Sequence, residues 1–267
     1  MSDFLEQVIA ERLAYAAELR TRMPELAADA VAVPLRFDYF YRSLRSSLPG
    51  GLSVIAEVKR RSPALGVLAA DVDPGAQARR YVAAGARAIS VLIEPNHWGG
   101  SIQDLQEVRA AVKVPILAKD VFVDDFQVYE ARAAGADAIL LIAEALNDHR
   151  LRVMIALVER LGMTAVVEAH EVVAFGRAAA SGARIVGVNA RNLNRPAEID
   201  VGRIRQLHTF AHPNQILVAE SGITSVDDAR LLPARVDAVL IGTALMRADD
   251  PAPLIHGIAS IKRTVSV

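Results

Sequence analysis

Residues 131–142 read ARAAGADAILLI, and this stretch decides the fold that the sequence predicts. An alanine-rich helical segment ends at Gly135, because glycine readily takes the left-handed conformation that terminates helices. An apolar run follows at once, with the length and composition of a buried strand. The same joint recurs at Ala84-Gly85-Ala86 and Ser181-Gly182-Ala183. A helix that ends at glycine and leads into a buried strand is therefore a repeated feature of this chain.

Eight short runs of this kind predict strands between residues 53 and 241. Most are apolar on both faces, as in a parallel sheet covered by helices. The predicted strands are Ser53–Lys59, Ala86–Ile93, Val114–Lys119, Ala136–Ile142, Met163–Glu168, Ile185–Asn189, Gln215–Glu220 and Val236–Ile241. Between them, apolar residues recur at a spacing of three and four, which predicts helices. These helices are Pro74–Ala84, Ile102–Val112, Asp124–Ala134, Asn147–Leu161, Val172–Ala180, Val201–Phe210 and Val226–Leu232.

Eight strands that alternate with helices predict an α/β protein, a single (β/α)8 TIM barrel with an N-terminal helical extension. The rival is an open doubly wound sheet, which is disfavoured because no strand is followed by a G-x-G-x-x-G helix start. We expect one domain, with the extension at 1–48, the barrel at 53–248 and a C-terminal helix at 249–267. Helices predicted at Phe4–Leu19 and Phe37–Leu48 would cap the bottom of the barrel or cover its rim.

The composition excludes several classes of protein. The 267 residues are 52% hydrophobic with a net charge of −1, so neither a nucleic-acid-binding surface nor a membrane surface is predicted. The absence of cysteine excludes disulfides and thiolate metal sites, and it is compatible with the cytoplasm. The N-terminus lacks the pattern of a secretory signal. We expect a cytoplasmic protein, a monomer, that binds a small molecule and neither nucleic acid nor membrane.

Ionisable side chains stand where the predicted strands end, which is where barrels of this kind carry their active sites. One such charge could simply emerge into solvent, but several facing one mouth would be costly unless they were paired or met a ligand. The chain has only four lysines, and two of them end strands. The candidate residues are Glu57, Lys59, Lys119, Glu168, Asn189, Arg191 and Glu220.

Two glycine turns after the last strands indicate a phosphate group on the ligand. Ser221-Gly222-Ile223 and Gly242-Thr243-Ala244 lead into helix starts, whose free N–H groups bind anions. Plain left-handed turns are the alternative. No cluster of histidine and carboxylate residues has metal-ligand spacing, and we interpret His170 as a packing or helix-start residue. Trp98 would cover an aromatic ring of the substrate or anchor its loop.

Five motifs, in this order and spacing, make residues 53–248 resemble indole-3-glycerol phosphate synthase. The first is highly specific, and the last two are shared with other phosphate-binding barrels. They are Ile55-Ala56-Glu57-Val58-Lys59-Arg60-Arg61-Ser62-Pro63, Ile116-Leu117-Ala118-Lys119-Asp120, Val188-Asn189-Ala190-Arg191-Asn192-Leu193, Val218-Ala219-Glu220-Ser221-Gly222-Ile223 and Ile241-Gly242-Thr243-Ala244-Leu245-Met246.

The resemblance implies a lyase of tryptophan biosynthesis that closes an indole ring with loss of CO2 and water, without a metal or organic cofactor. Lys119 would be the general acid, Glu168 its acid–base partner, and Lys59 a ligand of substrate anions. Glu57 and Asn189 would orient these groups. The remaining implied contacts are Ser62 and Arg191 near the substrate carboxylate, Gly222, Gly242 and Thr243 at the phosphate, and Glu220 and Ser221 in support.

Several wall positions depart from the family pattern, and these departures bear on substrate range rather than on chemistry. They are Ala64, Trp98, Val121, Ala169 and the loop 194–198. A paralogue that acts on a related sugar phosphate in a secondary pathway therefore stays open. So do a Schiff-base aldolase through Lys119 and a catalytically silent barrel that binds a phosphate metabolite or a partner enzyme. Phosphoribosylanthranilate isomerase is disfavoured, because it would require a cysteine.

Overall fold

A computed structural model describes residues 4–45 and 51–262 of this chain, and within them eight parallel strands close into a barrel. Each strand pairs with its neighbours in chain order, and the first pairs with the last through Ser53 and Ala238. The fold is therefore the predicted (β/α)8 TIM barrel. The strands are β1 (Ser53–Val58), β2 (Ala88–Leu92), β3 (Ile116–Lys119), β4 (Ala138–Ile142), β5 (Thr164–Ala169), β6 (Ile185–Asn189), β7 (Ile216–Glu220) and β8 (Ala238–Ile241).

Helices follow the strands around the outside, as the pattern predicts, and helices of the extension precede them. They are α1 (Phe4–Leu19), α2 (Met23–Ala32), α3 (Tyr39–Arg45), α4 (Pro74–Ala83), α5 (Ile102–Ala111), α6 (Asp125–Ala133), α7 (Asp148–Arg160), α8 (Val172–Ala180), α9 (Gly202–Leu207), α10 (Val226–Arg230), α11 (Thr243–Arg247) and α12 (Ala252–Ala259). No helix within the described ranges is long and apolar enough to cross a membrane.

The glycine joints are confirmed, and they explain why some strands begin later than predicted. Gly85, Gly135 and Gly182 have φ of 97°, 99° and 92°. After the first two, the N–H group of the next residue, Ala86 or Ala136, bonds back to a carbonyl of the preceding helix at 3.0 Å. Because these N–H groups complete the helix end, they are not available to the sheet.

The N-terminal extension both caps the bottom of the barrel and covers its rim, the two positions expected for its helices. Below the barrel, Phe40 and Leu44 of α3 pack against the interior residues at the start of the strands. Above it, α1 lies at the mouth, where Arg12 forms a buried ion pair of 2.6 Å with Asp120. The sequence did not predict α2, which begins beside Pro24 in its first turn, a position that proline tolerates.

The two terminal helices begin later than predicted. The helix expected at Phe37–Leu48 begins at Tyr39 and is described as far as Arg45, and the expected residues 46–48 lie outside the described ranges. The C-terminal helix is Ala252–Ala259, and the stretch 263–267 likewise lies outside them. Alternation along each strand sends one set of side chains into the barrel and the other towards the helices, so polar side chains at the carboxyl ends of the strands converge on one mouth.

Candidate active site

Lys119 lies at the centre of the mouth between two carboxyl groups. Its Nζ atom is 2.8 Å from Glu168 Oε2 and 2.8 Å from Glu220 Oε2. Glu168 and Glu220 are almost fully buried, and only 14% of the Lys119 side chain is exposed. Lys119 and Glu220 are the last residues of β3 and β7, and Glu168 is the last residue but one of β5; the side chains of all three line the mouth. The result is an ammonium group held by two buried carboxyl groups at the opening of the barrel.

The pKa values of the three groups in this cluster are shifted in different directions. Burial alone would lower the pKa of Lys119, but Glu168, Glu220 and Glu57 outweigh burial and raise it, so the amine stays charged. Burial, reinforced by the neighbouring Glu168 carboxylate, raises the pKa of Glu220 well above its usual range. Burial also opposes ionisation of Glu168, yet Lys119, Glu220 and Asn189 together lower its pKa. Glu168 is therefore the more acidic carboxyl group of the pair, and Glu220 is the less acidic one.

Asn189 fixes the orientation of Glu168. Its Oδ1 atom accepts the backbone N–H of Arg191 at 2.9 Å, which leaves Nδ2 to donate to Glu168 Oε1 at 3.0 Å. The backbone carbonyl of Asn189 lies 2.9 Å from Nδ1 of the buried His170. His170 therefore packs behind the site, as interpreted from the sequence, and it supports the strand end that carries Asn189.

A second ion pair lies at the end of the first strand. Lys59 Nζ is 2.7 Å from Glu57 Oε1, which confirms that the two side chains share a face. Gly242, directly after β8, has no side chain, and the ion pair occupies the space that a side chain would fill. A Cβ atom at Gly242 would lie 2.1 Å from Glu57 Oε1 and 2.9 Å from Lys59 Nζ. Gly242 is thus required by the neighbouring carboxylate as well as by any ligand at the turn.

The turns after the last two strands have backbones suited to an anion. Ser221 and Gly222 are both left-handed, with φ of 67° and 76°. Gly242 precedes the first turn of α11, where N–H groups lack partners within the helix. The exposed Arg247 also lines this end of the mouth, and sequence reasoning did not identify it.

The mouth encloses a cavity of about 290 Å³. Its charged floor is formed by the strand-end residues, and Phe4, Leu5 and Val8 of α1 line it together with Trp98. Trp98 packs edge-on against Phe4 at 5.9 Å between ring centroids, so it both anchors its loop and faces the cavity. A position of α1 over the rim was among the expectations, but its contribution of Phe4, Leu5 and Val8 to the cavity wall was not, because nothing in a helix far from the strand ends indicates which of its side chains face the site.

All but one of the twelve candidate site residues line this cavity. The exception is Ser62, which is buried in a short hairpin of Arg61–Ser62 with Gly66–Val67, while its neighbour Pro63 lines the cavity instead. The residues brought together are Glu57, Lys59, Lys119, Glu168, Asn189, Arg191, Glu220, Ser221, Gly222, Gly242 and Thr243.

One group beside the mouth has the composition of a metal site. Glu11, Glu94 and His97 place one ligand atom each within 4.8 Å of one another. The Glu94 carboxylate, however, accepts the backbone N–H groups of Asn96, His97 and Trp98 at 2.7–3.0 Å. Glu11 Oε2 likewise lies 3.0 Å from His97 Nε2. Hydrogen bonds that fold the loop after β2 account for this cluster.

A closed parallel barrel whose mouth holds a buried lysine between carboxyl groups defines a (β/α)8-barrel enzyme. Residues 5–258 match the family model described as indole-3-glycerol phosphate synthase. This chain belongs to the indole-3-glycerol phosphate synthase family.

Similar proteins carry the same name. The chain is 49% identical to the indole-3-glycerol phosphate synthase of a Nocardioides species, over 79% of this chain and 82% of that one. It is 39% identical to that of Carboxydothermus hydrogenoformans, over 95% of this chain and 98% of that one.

Solved structures at lower identity share the fold alone. They include 3-hexulose-6-phosphate synthase from Salmonella typhimurium, with a TM-score of 0.60 at 16% identity over 78% of this chain and 97% of that one. Thiamine phosphate pyrophosphorylase from Pyrococcus furiosus has a TM-score of 0.59 at 18% identity over 78% of this chain and 94% of that one.

Proposed function

We propose that this protein is a carboxy-lyase of tryptophan biosynthesis that closes the indole ring of 1-(2-carboxyphenylamino)-1-deoxyribulose 5-phosphate, with release of CO2 and water. Membership of the indole-3-glycerol phosphate synthase family supports this activity. The observation that carries it to particular residues is the Lys119 ammonium group, held at 2.8 Å from both Glu168 and Glu220 at the floor of the cavity.

Ring closure needs an acid at the carbonyl oxygen of the substrate. The ring carbon that bears the carboxylate attacks the ketone carbon, and the carbonyl electrons pass to its oxygen, which takes a proton from Lys119. The bond to the carboxylate then breaks, CO2 leaves and its electrons restore the aromatic ring. Because the surrounding carboxyl groups raise the pKa of Lys119, the amine enters the reaction charged.

Dehydration then breaks the C–O bond of the new hydroxyl group and a C–H bond on the neighbouring ring carbon, which releases water and forms the second double bond of the five-membered ring. We assign the proton exchange in this step to Glu168, which is ionised in the resting site and adjacent to Lys119. Asn189 holds the Glu168 carboxylate in one orientation. Glu57 does the same for Lys59, which we assign to substrate anions.

We assign the two ends of the substrate to different parts of the cavity. We assign the phosphate to the turns at Gly222 and Gly242-Thr243, with Ser221 in support, since backbone N–H groups at helix starts bind anions. The aromatic ring would lie against the apolar wall that includes Trp98 and Val121, with Arg191 near its carboxylate. Ser62 would then act through the shape of its hairpin rather than by direct contact.

The test is conversion of the anthranilate-linked ribulose phosphate to a product with indole fluorescence. We expect turnover by the purified protein and a loss of about 10²-fold or more in kcat for Lys119→Ala, the scale of lost general-acid catalysis. Folded wild-type protein that gives no indole product would overturn the proposal. Faster turnover of a related sugar phosphate would instead favour the secondary-pathway paralogue.

Three accompanying predictions concern how the protein works in the cell. We propose that it acts in the cytoplasm, as a monomer, and without a metal or organic cofactor. Added metal and chelator should leave turnover unchanged, and light scattering should give the mass of one chain, 28.7 kDa.

A further inference from the structure

Gly187 lies in the wall of the barrel immediately beside the charged cluster. It is in the middle of β6, paired with Glu168 of β5 on one side and with Val218 of β7 on the other. A Cβ atom built on Gly187 would lie 2.4 Å from Glu220 Oε1, far inside van der Waals contact. The carboxyl group of Glu220 therefore occupies the space that a side chain at position 187 would fill.

Burial and a direct contact with Lys119 oppose a movement of Glu220 away from position 187. Only 1% of its surface is exposed, and its other oxygen, Oε2, contacts Lys119 at 2.8 Å. Rotation away from a new methyl group would lengthen this contact and separate Glu220 from Glu168. A single methyl group at Gly187 is consequently sufficient to disturb the arrangement of all three charged groups.

The backbone of Gly187 does not itself require glycine. It lies within a regular strand and is not among the glycines with positive φ in the described ranges. Glycine in the middle of a strand is usually unfavourable, because it costs conformational entropy and offers no side chain to pack. Its presence here needs another reason, and the close approach of Glu220 supplies one.

We propose that Gly187 is a positioning residue for the reaction: its missing side chain admits the Glu220 carboxyl group to the space beside Glu168, where both carboxyl groups hold Lys119. This inference rests on the proposed function, and it adds a residue to which no strand-end argument pointed.

A double-mutant cycle on thermal stability tests the contact without any need for activity. Gly187→Ala should lower the melting temperature by about 3 °C or more while Glu220 is present, since the methyl group meets a buried carboxyl group. In a Glu220→Ala background the same change should be neutral or stabilising, because the obstacle is gone and glycine-to-alanine changes at permitted backbone angles stabilise. An equal effect in both backgrounds would show that Gly187 and Glu220 are not coupled.

The same cycle on turnover tests the role in the reaction. Gly187→Ala should lower kcat about tenfold or more, with a smaller change in KM, and should add nothing in the Glu220→Ala background. Gly176→Ala is the control. Gly176 lies on α8, an added Cβ atom there would have nothing within 4 Å, and the change should alter neither kcat nor KM.

The possible outcomes distinguish the inference about Gly187 from the proposed function. An active wild type with a Gly187→Ala variant of normal kcat would overturn the inference alone. An inactive wild type would overturn the proposed function, and the stability cycle would still decide whether Gly187 makes room for Glu220. If Gly187→Ala does not fold while Gly187→Ala with Glu220→Ala does, that rescue is the strongest form of the expected result.

Discussion

Replacing Glu168 with glutamine is the sharpest test of the charged cluster, because the structure predicts different effects on catalysis and on stability. Removing one member of a buried ion pair costs about 3–5 kcal/mol when the other charge is left uncompensated. In this site Lys119 keeps a second partner, Glu220, at 2.8 Å. Removing the charge of Glu168 removes one cause of the raised pKa of Glu220, so Glu220 ionises more readily and can balance the charge of Lys119.

A smaller cost remains, and its origin is the orientation of Asn189. Its amide nitrogen faces Glu168 Oε1 while Lys119 faces Oε2, so both oxygens receive hydrogen bonds. Glutamine has an NH2 group in place of one of these oxygens. Either Asn189 Nδ2 or Lys119 Nζ will therefore face another hydrogen-bond donor. An unsatisfied buried hydrogen-bonding group costs about 1–3 kcal/mol. For a chain of this size, that corresponds to a fall of about 2–12 °C in melting temperature.

The assay compares kcat, substrate Kd and melting temperature for three variants. Glu168→Gln should keep its substrate affinity and lose about 10²–10⁴-fold in kcat, since an amide cannot exchange the proton. Lys119→Ala should lose more stability than Glu168→Gln, because it leaves a buried carboxylate without its positively charged partner. The exposed Glu159→Gln on α7 is the control and should change none of the three. Near-normal kcat in Glu168→Gln, together with a melting temperature as low as that of Lys119→Ala, would refute the catalytic assignment.

Two further predictions concern Gly242 and Asp120. Gly242→Ala should raise KM through the phosphate turn and also lower kcat, because the new methyl group would displace the Glu57 carboxylate; unchanged kcat in steady-state assays would contradict this. Burial raises the pKa of Asp120 to about 6 against the opposing effect of Arg12, so its folded-state value exceeds the unfolded one. Its stabilising contribution is complete below about pH 4 and is lost as the pH rises through 6, so the melting temperature of the wild type should fall relative to Asp120→Asn between about pH 4.5 and pH 7. A constant difference across that range would show that Asp120 does not titrate there.

The position of Asp120 links the extension to the chemistry. It follows Lys119 directly, and its partner Arg12 lies on the helix that carries Phe4, Leu5 and Val8 into the cavity. One buried ion pair therefore joins the wall of the cavity to the strand end that presents the acid. This arrangement explains why α1 is fixed across the mouth, although it precedes the barrel in sequence.

The sequence by itself determined the barrel and most of its active mouth. Strand alternation and helix periodicity are local properties, so apolar runs, glycine joints and strand ends could be identified without knowing which strands are neighbours. The same local geometry placed Glu57 and Lys59 on one face. It also predicted Lys119, Glu168 and Glu220 as site residues, since inward-facing side chains at the carboxyl ends of the strands converge on the same opening.

Only the tertiary structure decided which of these groups touch. Lys119 meets partners 49 and 101 residues away, and such pairings depend on the stagger and radius of the closed barrel. The same closure turns Ser62 away from the cavity lining, brings α1 over the mouth and fills the space at Gly187 with the carboxyl group of Glu220. A glycine in a strand has no side chain from which a partner could be inferred, so its role became visible only when the neighbouring strand was in place.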